Sequence, residues 1–168
     1  AVRINQEPTN SKMVANCIAN YCSQQKFDLI FCGTESIDYN GGQVPGFIAS
    51  NLNIPFINGC IGLEFEGNTL KLKRTIDNGH EICTSPLPAL IAGQKGLVEE
   101  KELRIPSMRG IMTARTKPLE LVESSLTDEE EVSILEYEKP LARSECKMID
   151  ENNVKNLVEL LQTEAKVI

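Results

Sequence analysis

The chain has 168 residues, of which 41% are hydrophobic and 24% charged, and its net charge is −7. That length suffices for one globular unit with a real core. The acidic balance argues against nucleic-acid binding, and no apolar run is long enough for membrane insertion.

No basic-plus-apolar leader opens the chain, so no secretion signal is expected. "AVRI" reads as a strand already under way at Ala1, which suggests a fragment or a missing natural start. "EPTNSKMVANCIANYCSQQ" follows as an amphipathic helix. Met13, Val14, Cys17, Ile18, Tyr21 and Cys22 recur at helical spacing, and Thr9, Asn10 and Ser11 each offer a capping oxygen. "FDLIFCG" is a short apolar run with the look of a parallel strand covered on both faces. After the loop "GGQVPG", "FIASNLN" predicts a second helix with Phe47, Ile48 and Leu52 inward. "IPFINGCIGLEF" returns to strand character. This order of strands and helices argues for a βαβ arrangement on a parallel sheet.

Beyond Gly62, "TLKLKRTI" alternates apolar and polar residues, "DNGH" is a turn and "EICTS" is the returning strand of a hairpin. The one histidine, His80, falls in that turn and reads as exposed. "LPALIAG" is a further strand and "LELV" a short one. Asp128 to Glu131 reads as a solvated acidic loop, and "LARSECKMIDEN" as an extended connection. The end of the chain is helical, with Val154, Leu157, Val158 and Leu161 on one face and Asp150 as the expected cap.

The six cysteines form no C-x-x-C pair, and Cys17 and Cys22 point apart on a helix. Reduced, mostly buried thiols are therefore expected, and no metal site. No Ser-His-Asp, Cys-His or paired-carboxylate arrangement is visible. Catalytic residues of the chain's own are thus not expected.

The segment "GTESIDYNGGQVPG" carries the main functional question. A loop between a parallel strand and a helix is where open α/β sheets bind ligands, and a helix start favours anions. Gly41 and Gly42 would let backbone approach a phosphate. Pro45 suits a first helical turn, and Asp38, Asn40 and Gln43 offer polar contacts to a ribose or base. The loop matches neither G-x-G-x-x-G nor the lysine-bearing phosphate loop. On its residues alone, a glycine turn is the slightly better reading.

Three stretches together change that balance. "FDLIFCGTESIDYNGGQVPGFIA", "LKLKRTIDNGHEICTSPLPALIAG" and "RIPSMRGIMTARTKPLELV" occur in an order and spacing that resemble the β subunit of electron transfer flavoproteins. The likeness extends to the terminal helix. It implies a doubly wound α/β fold with a mainly parallel sheet, helices on both faces, a β-hairpin and a C-terminal arm ending in a helix. The nucleotide-binding core would span 1–138, lacking its first βα units, and the arm 139–168.

The resemblance also implies a role. The subunit would pair with an α subunit holding most of a redox-active FAD, take electrons from flavin dehydrogenases and pass them on. It would carry AMP, or a second FAD in electron-bifurcating members. The nucleotide site would use Gly33, Asp38, Tyr39, Asn40, Gly41, Gly42, Gln43, Val44, Pro45, Gly46, Phe47, Ile48 and Ala49. Family loops of the bifurcating type read D-T-A-Q-V-G-P. Asn40 to Gly46 keep Gln43 and Val44, lose the acid and the Thr-Ala pair, and reverse Gly-Pro. The family's N-terminal part is expected to be absent, so these residues would form one wall of a site. The location would be the bacterial cytoplasm, or the mitochondrial matrix in a eukaryote.

The segment from Leu103 to Pro118 holds four basic residues and no acidic one. By the resemblance, Arg104 to Arg115 within it would be a partner-recognition segment, with Met108 as anchor and Arg104, Arg109, Ile111, Met112 and Arg115 around it. Met is adaptable at binding surfaces, and a basic rim speeds encounter with acidic partners. The plainer alternative buries Met108 or Met112 and leaves the arginines solvated. Two other functions stay open at this point: an ATP-using enzyme of a related α/β fold, and an assembly module with a vestigial loop.

Overall fold

The computed structural model describes residues 1–7, 9–124, 135–143 and 145–168. By contacts the chain divides into two compact units, Ala1–Ser133 and Ile134–Ile168. The expected acidic loop at Asp128 to Glu131 lies outside the described residues.

In the first unit, strand β1 (Val2–Asn5) leads to helix α1 (Ser11–Gln25), strand β2 (Leu29–Gly33) and helix α2 (Val44–Leu52). Strands β3 (Phe56–Glu66), β4 (Thr69–Ile76), β5 (Gly79–Pro86) and β6 (Ala89–Gly93) follow. Helix α3 (Met108–Ala114) and strand β7 (Glu120–Glu123) complete it. Five strands form one sheet in the order β2-β6-β3-β4-β5, and β1 pairs with β7 in a separate parallel ladder. The large sheet is mixed: β2, β6 and β3 run parallel, while β3, β4 and β5 are antiparallel. The α/β class is as expected.

Strand β6 lies at the centre of the parallel part. Ala89, Leu90, Ile91 and Ala92 are each fully buried, so this apolar run is covered on both faces. Its alternating side chains feed two cores. Leu90 joins Ala15 and Ala19 of α1 and Ile48 and Ala49 of α2. On the other side Ala89 and Ile91 join Ile57, Cys60, Leu70 and Leu72.

Strand β2 was expected to be covered on both faces, and here the structure differs. It forms an edge of the sheet, bonded only to β6, and Phe31 is 56% exposed. The runs "LIFCG" and "ALIAG" look alike locally. Strand pairing, which is a long-range property, decides which one is central.

Asn10 caps α1, its side-chain oxygen accepting the Met13 N–H at 2.8 Å. The buried residues of α1 are Met13, Ala15, Cys17 and Ala19, so two alanines carry the contact with α2. Small residues let the two helices approach closely, and Asn51 Nδ2 donates to Asn16 Oδ1 at 2.7 Å across the same pair. In α2 the buried residues are Pro45, Ile48 and Ala49. Phe47, expected inward, is exposed, and Leu52 is half-buried against the core.

The expected hairpin is present. Ile76 pairs with Gly79 across the connection Asp77–Asn78, and His80 is exposed beside it. Strand β3 changes partner partway, and the ladder shifts between Ile57 and Cys60. Gly59 sits in that shift with φ +67, where a Cβ would come within 3.2 Å of Gln94 Oε1 and 3.4 Å of the Thr75 carbonyl. Only glycine fits both the angle and the space.

In the second unit, helix α4 (Val154–Leu160) runs on into a wider turn at Leu161–Ala165. The cap is Asn153, which accepts the Asn156 N–H at 3.3 Å, rather than the expected Asp150. Asp150 instead accepts the Asn152 N–H at 2.8 Å, in the turn that precedes the helix. Lys147 and Glu164 form an ion pair at 2.7 Å. None of this unit's described residues is buried.

Candidate functional site

The loop from Thr34 to Gln43 leaves the carboxyl end of β2 and enters α2. Gly33 is paired with Gly93 at the matching end of β6, so two loops leave the same edge of adjacent parallel strands. Thr34 Oγ1 donates to the Gly93 carbonyl at 3.1 Å and anchors the start of the loop. Ser36 organises its middle: its carbonyl accepts the Asn40 N–H at 2.9 Å and its hydroxyl oxygen accepts the Tyr39 N–H at 3.3 Å. Asn40 then turns the chain with φ +46, and Gly42 follows with φ +60. Pro45 stands in the first turn of α2, and the first bond across that turn is Phe47 N–H to the Gln43 carbonyl at 3.1 Å.

The structure separates the expected nucleotide residues by what they expose. Asp38, Tyr39, Asn40, Gly41, Gly42 and Gln43 lie exposed on the loop, with Gly33 exposed at its root. On α2, Gly46 is half-buried and Phe47 is exposed. Val44 is half-buried against the core and Pro45 is buried. Ile48 and Ala49 are core residues at 1% and 2% exposure, so their side chains are committed to packing.

The loop offers backbone N–H groups and carries no cation of its own. The N–H groups of a first helical turn have no partner inside the helix. A Cβ on Gly41 would meet only the Ser11 hydroxyl oxygen at 3.9 Å, and one on Gly42 the Glu35 carboxylate and the Thr34 carbonyl, each at 3.9 Å, so neither glycine is crowded. The loop contains Glu35 and Asp38 and no lysine or arginine. Thr34, Ser36 and Glu35 were not among the expected site residues. A Thr and a Ser flanking an acid directly after a strand-ending glycine are the signal that points to them.

The second candidate surface is α3. Ser107 caps it, its hydroxyl oxygen accepting the Gly110 N–H at 3.1 Å. All of its residues are exposed, including Met108 at 74%, Ile111 at 48% and Met112 at 67%. The alternative that buries Met108 or Met112 is therefore not what the structure contains. Among the described residues, no carboxylate pairs with Arg104, Arg109 or Arg115. Ile105, three residues before the helix, is 88% exposed and was not among the expected residues.

Among the described residues, no group of three or more His, Cys, Asp and Glu could hold a metal ion, and no helix is long and apolar enough to cross a membrane. All six cysteines are free: Cys17 and Cys60 buried, Cys22, Cys32 and Cys83 half-buried, Cys146 exposed.

Fold and loop together define an α/β protein with an exposed loop at the carboxyl edge of its parallel strands. A family model described as the electron transfer flavoprotein domain matches residues 5–127. The electron transfer flavoprotein subunit beta of Bacillus subtilis (strain 168) is 34% identical over 164 residues, covering 92% of this chain and 63% of the relative. Its namesake from Syntrophomonas wolfei is 33% identical over 143 residues, covering 83% and 55%. A third, from Thermoanaerobacterium thermosaccharolyticum, is 32% identical over 103 residues, covering 61% and 38%. The chain belongs to the electron transfer flavoprotein family, and these relatives within it are β subunits. It spans less than two thirds of the length of each of these three relatives. The matched range contains both the loop and α3.

Proposed function

We propose that this chain is the β-subunit part of a heterodimeric electron transfer flavoprotein and binds an adenine nucleotide at the loop between β2 and α2. The supporting observation is that the family match covers a loop standing at the carboxyl edge of two parallel strands, ahead of a helix start. Backbone N–H groups around Gly41 to Gly46 would hold phosphate. Asp38, Asn40 and Gln43 would contact ribose or base. The occupant is AMP or a second FAD. The redox chemistry is that of the flavin, held mainly by an α subunit; this chain positions, shields and docks.

The exposed methionines and unpaired arginines of 104–115 support docking to an acidic, apolar-pocketed flavin dehydrogenase. The residues 139–168, without a buried residue among those described, support an arm laid along the α subunit. The compartment is the bacterial cytoplasm, or the mitochondrial matrix in a eukaryote. No residue of this chain is assigned a catalytic step.

The test is co-expression with an electron transfer flavoprotein α subunit. The visible spectrum is recorded, and nucleotides released on denaturation are identified. Flavin absorbance, together with an adenine nucleotide beyond the redox FAD, is expected. A colourless complex without adenine nucleotide overturns the reading.

A further inference from the structure

We infer that Tyr39 is a stacking platform for the base of the bound nucleotide, and so a specificity-determining residue of the loop; this rests on the nucleotide reading above. The Tyr39 side chain is 79% exposed, and Ile37, two residues before it, is 94% exposed. A single exposed apolar residue is ordinary. Two of them flanking Asp38 on one held turn gain nothing from the chain's own packing.

The turn that carries them is fixed. Ser36 binds the N–H groups of both Tyr39 and Asn40, and Thr34 anchors the loop to Gly93. A tyrosine on a fixed backbone has two side-chain torsions left to lose, so it offers contact area at low entropic cost. Between Tyr39 and the first turn of α2 the chain runs through Gly41 and Gly42, which have no side chains. A base on the ring and a phosphate at the helix start satisfy the two ends of one nucleotide. The loop carries no cation of its own, so stacking is the largest attractive contribution its side chains offer. Every base has a π-face, and the larger purine covers more of a phenol ring than a pyrimidine does.

The test uses the heterodimer with an α subunit after nucleotide removal. Equilibrium dialysis with AMP and with CMP compares wild type, Tyr39→Ala and Tyr39→Phe. Tyr39→Ala is expected to bind AMP about tenfold more weakly and to lose much of the preference for AMP over CMP. Tyr39→Phe is expected to bind as wild type does. AMP binding by Tyr39→Ala equal to wild type overturns the inference and leaves the nucleotide site standing. Loss of pairing with the α subunit at unchanged AMP affinity also overturns it, placing the ring at a subunit contact. Failure of wild type to bind AMP at all overturns the nucleotide reading itself, and the role of Tyr39 with it.

Discussion

Thr34 donates its hydroxyl hydrogen to the carbonyl of Gly93 at 3.1 Å. This one bond links the loop after β2 to the end of β6, whose residues Ala89 to Ala92 are fully buried. It therefore transmits the rigidity of the core to a surface loop. Thr34→Val keeps the shape and removes the donor. It is expected to cost about 1 kcal/mol of stability, read from the urea midpoint, and to weaken AMP binding. Thr34→Ser restores both. A Val variant indistinguishable from wild type would mean that the loop is positioned by its other bonds alone.

Gly41 and Gly42 are neighbours with opposite demands. Gly42 has φ +60, a region that costs a residue with a Cβ about 1–2 kcal/mol. Gly41 lies outside that region and has room, its nearest neighbour being Ser11 Oγ at 3.9 Å. Gly42→Ala is expected to lower the thermal midpoint, and Gly41→Ala to leave it near wild type or slightly raised. Equal effects from both would contradict the backbone described here.

Ala15 has no exposure in the contact between α1 and α2, where it meets the core around Leu90. Ala15→Leu overpacks that contact and is expected to cost about 1–3 kcal/mol. Leu90→Ala leaves a cavity on the same side of the sheet at a cost of about 2–5 kcal/mol. Urea unfolding measures both. An Ala15→Leu protein as stable as wild type would show that the helices are not in close contact.

The strands and the first two helices were legible because their residues bury one face at a strand or helix period. The β4–β5 hairpin was plainest: Leu70 and Leu72 alternate with lysines and Asp77–Asn78 breaks the run. Where burial is absent the signal fades. Helix α3 has seven residues and no buried one, so no apolar stripe exists to read, and only the Ser107 cap announces it. Ala15 and Ala19 escaped notice because alanine adds little to an apolar pattern while deciding how closely two helices meet. In the candidate site, the loop's position was legible from the glycine-ended strand and from Pro45. Ile48 was read as inward from its helical spacing and is; that Ala49 serves the core and Phe47 does not was hidden, since helical phase is only settled once α2 is docked.

Met108 and Arg109 stand together at the start of α3, both exposed. If this surface docks a dehydrogenase, Met108→Ala removes the apolar anchor and Arg109→Glu reverses the local field. Both are expected to slow electron transfer from the dehydrogenase, Arg109→Glu by roughly tenfold at low salt for a steered encounter and Met108→Ala through loss of an apolar contact. The flavin spectrum should not change. The Arg109→Glu rate should also lose part of its salt dependence. Unchanged rates in both variants would remove α3 from the docking surface.

Burial pushes the thiols of Cys22, Cys32 and Cys60 above their ordinary value of 9.0, and at Cys32 the neighbouring Cys22 adds to the rise. In the folded chain these groups hold their protons longer than in the unfolded one. As pH rises past 9.0, the unfolded chain releases them first and gains relative stability. The stability they confer is therefore fully present below that value and is lost as pH climbs through the raised folded values. Urea midpoints across this alkaline range should fall for wild type and fall less steeply for a Cys22→Ala, Cys32→Ala double variant. Labelling by iodoacetamide at about pH 8 should reach exposed Cys146 first and the buried Cys17 and Cys60 last. Identical alkaline slopes for wild type and the double variant would show that this pair of thiols does not couple to folding.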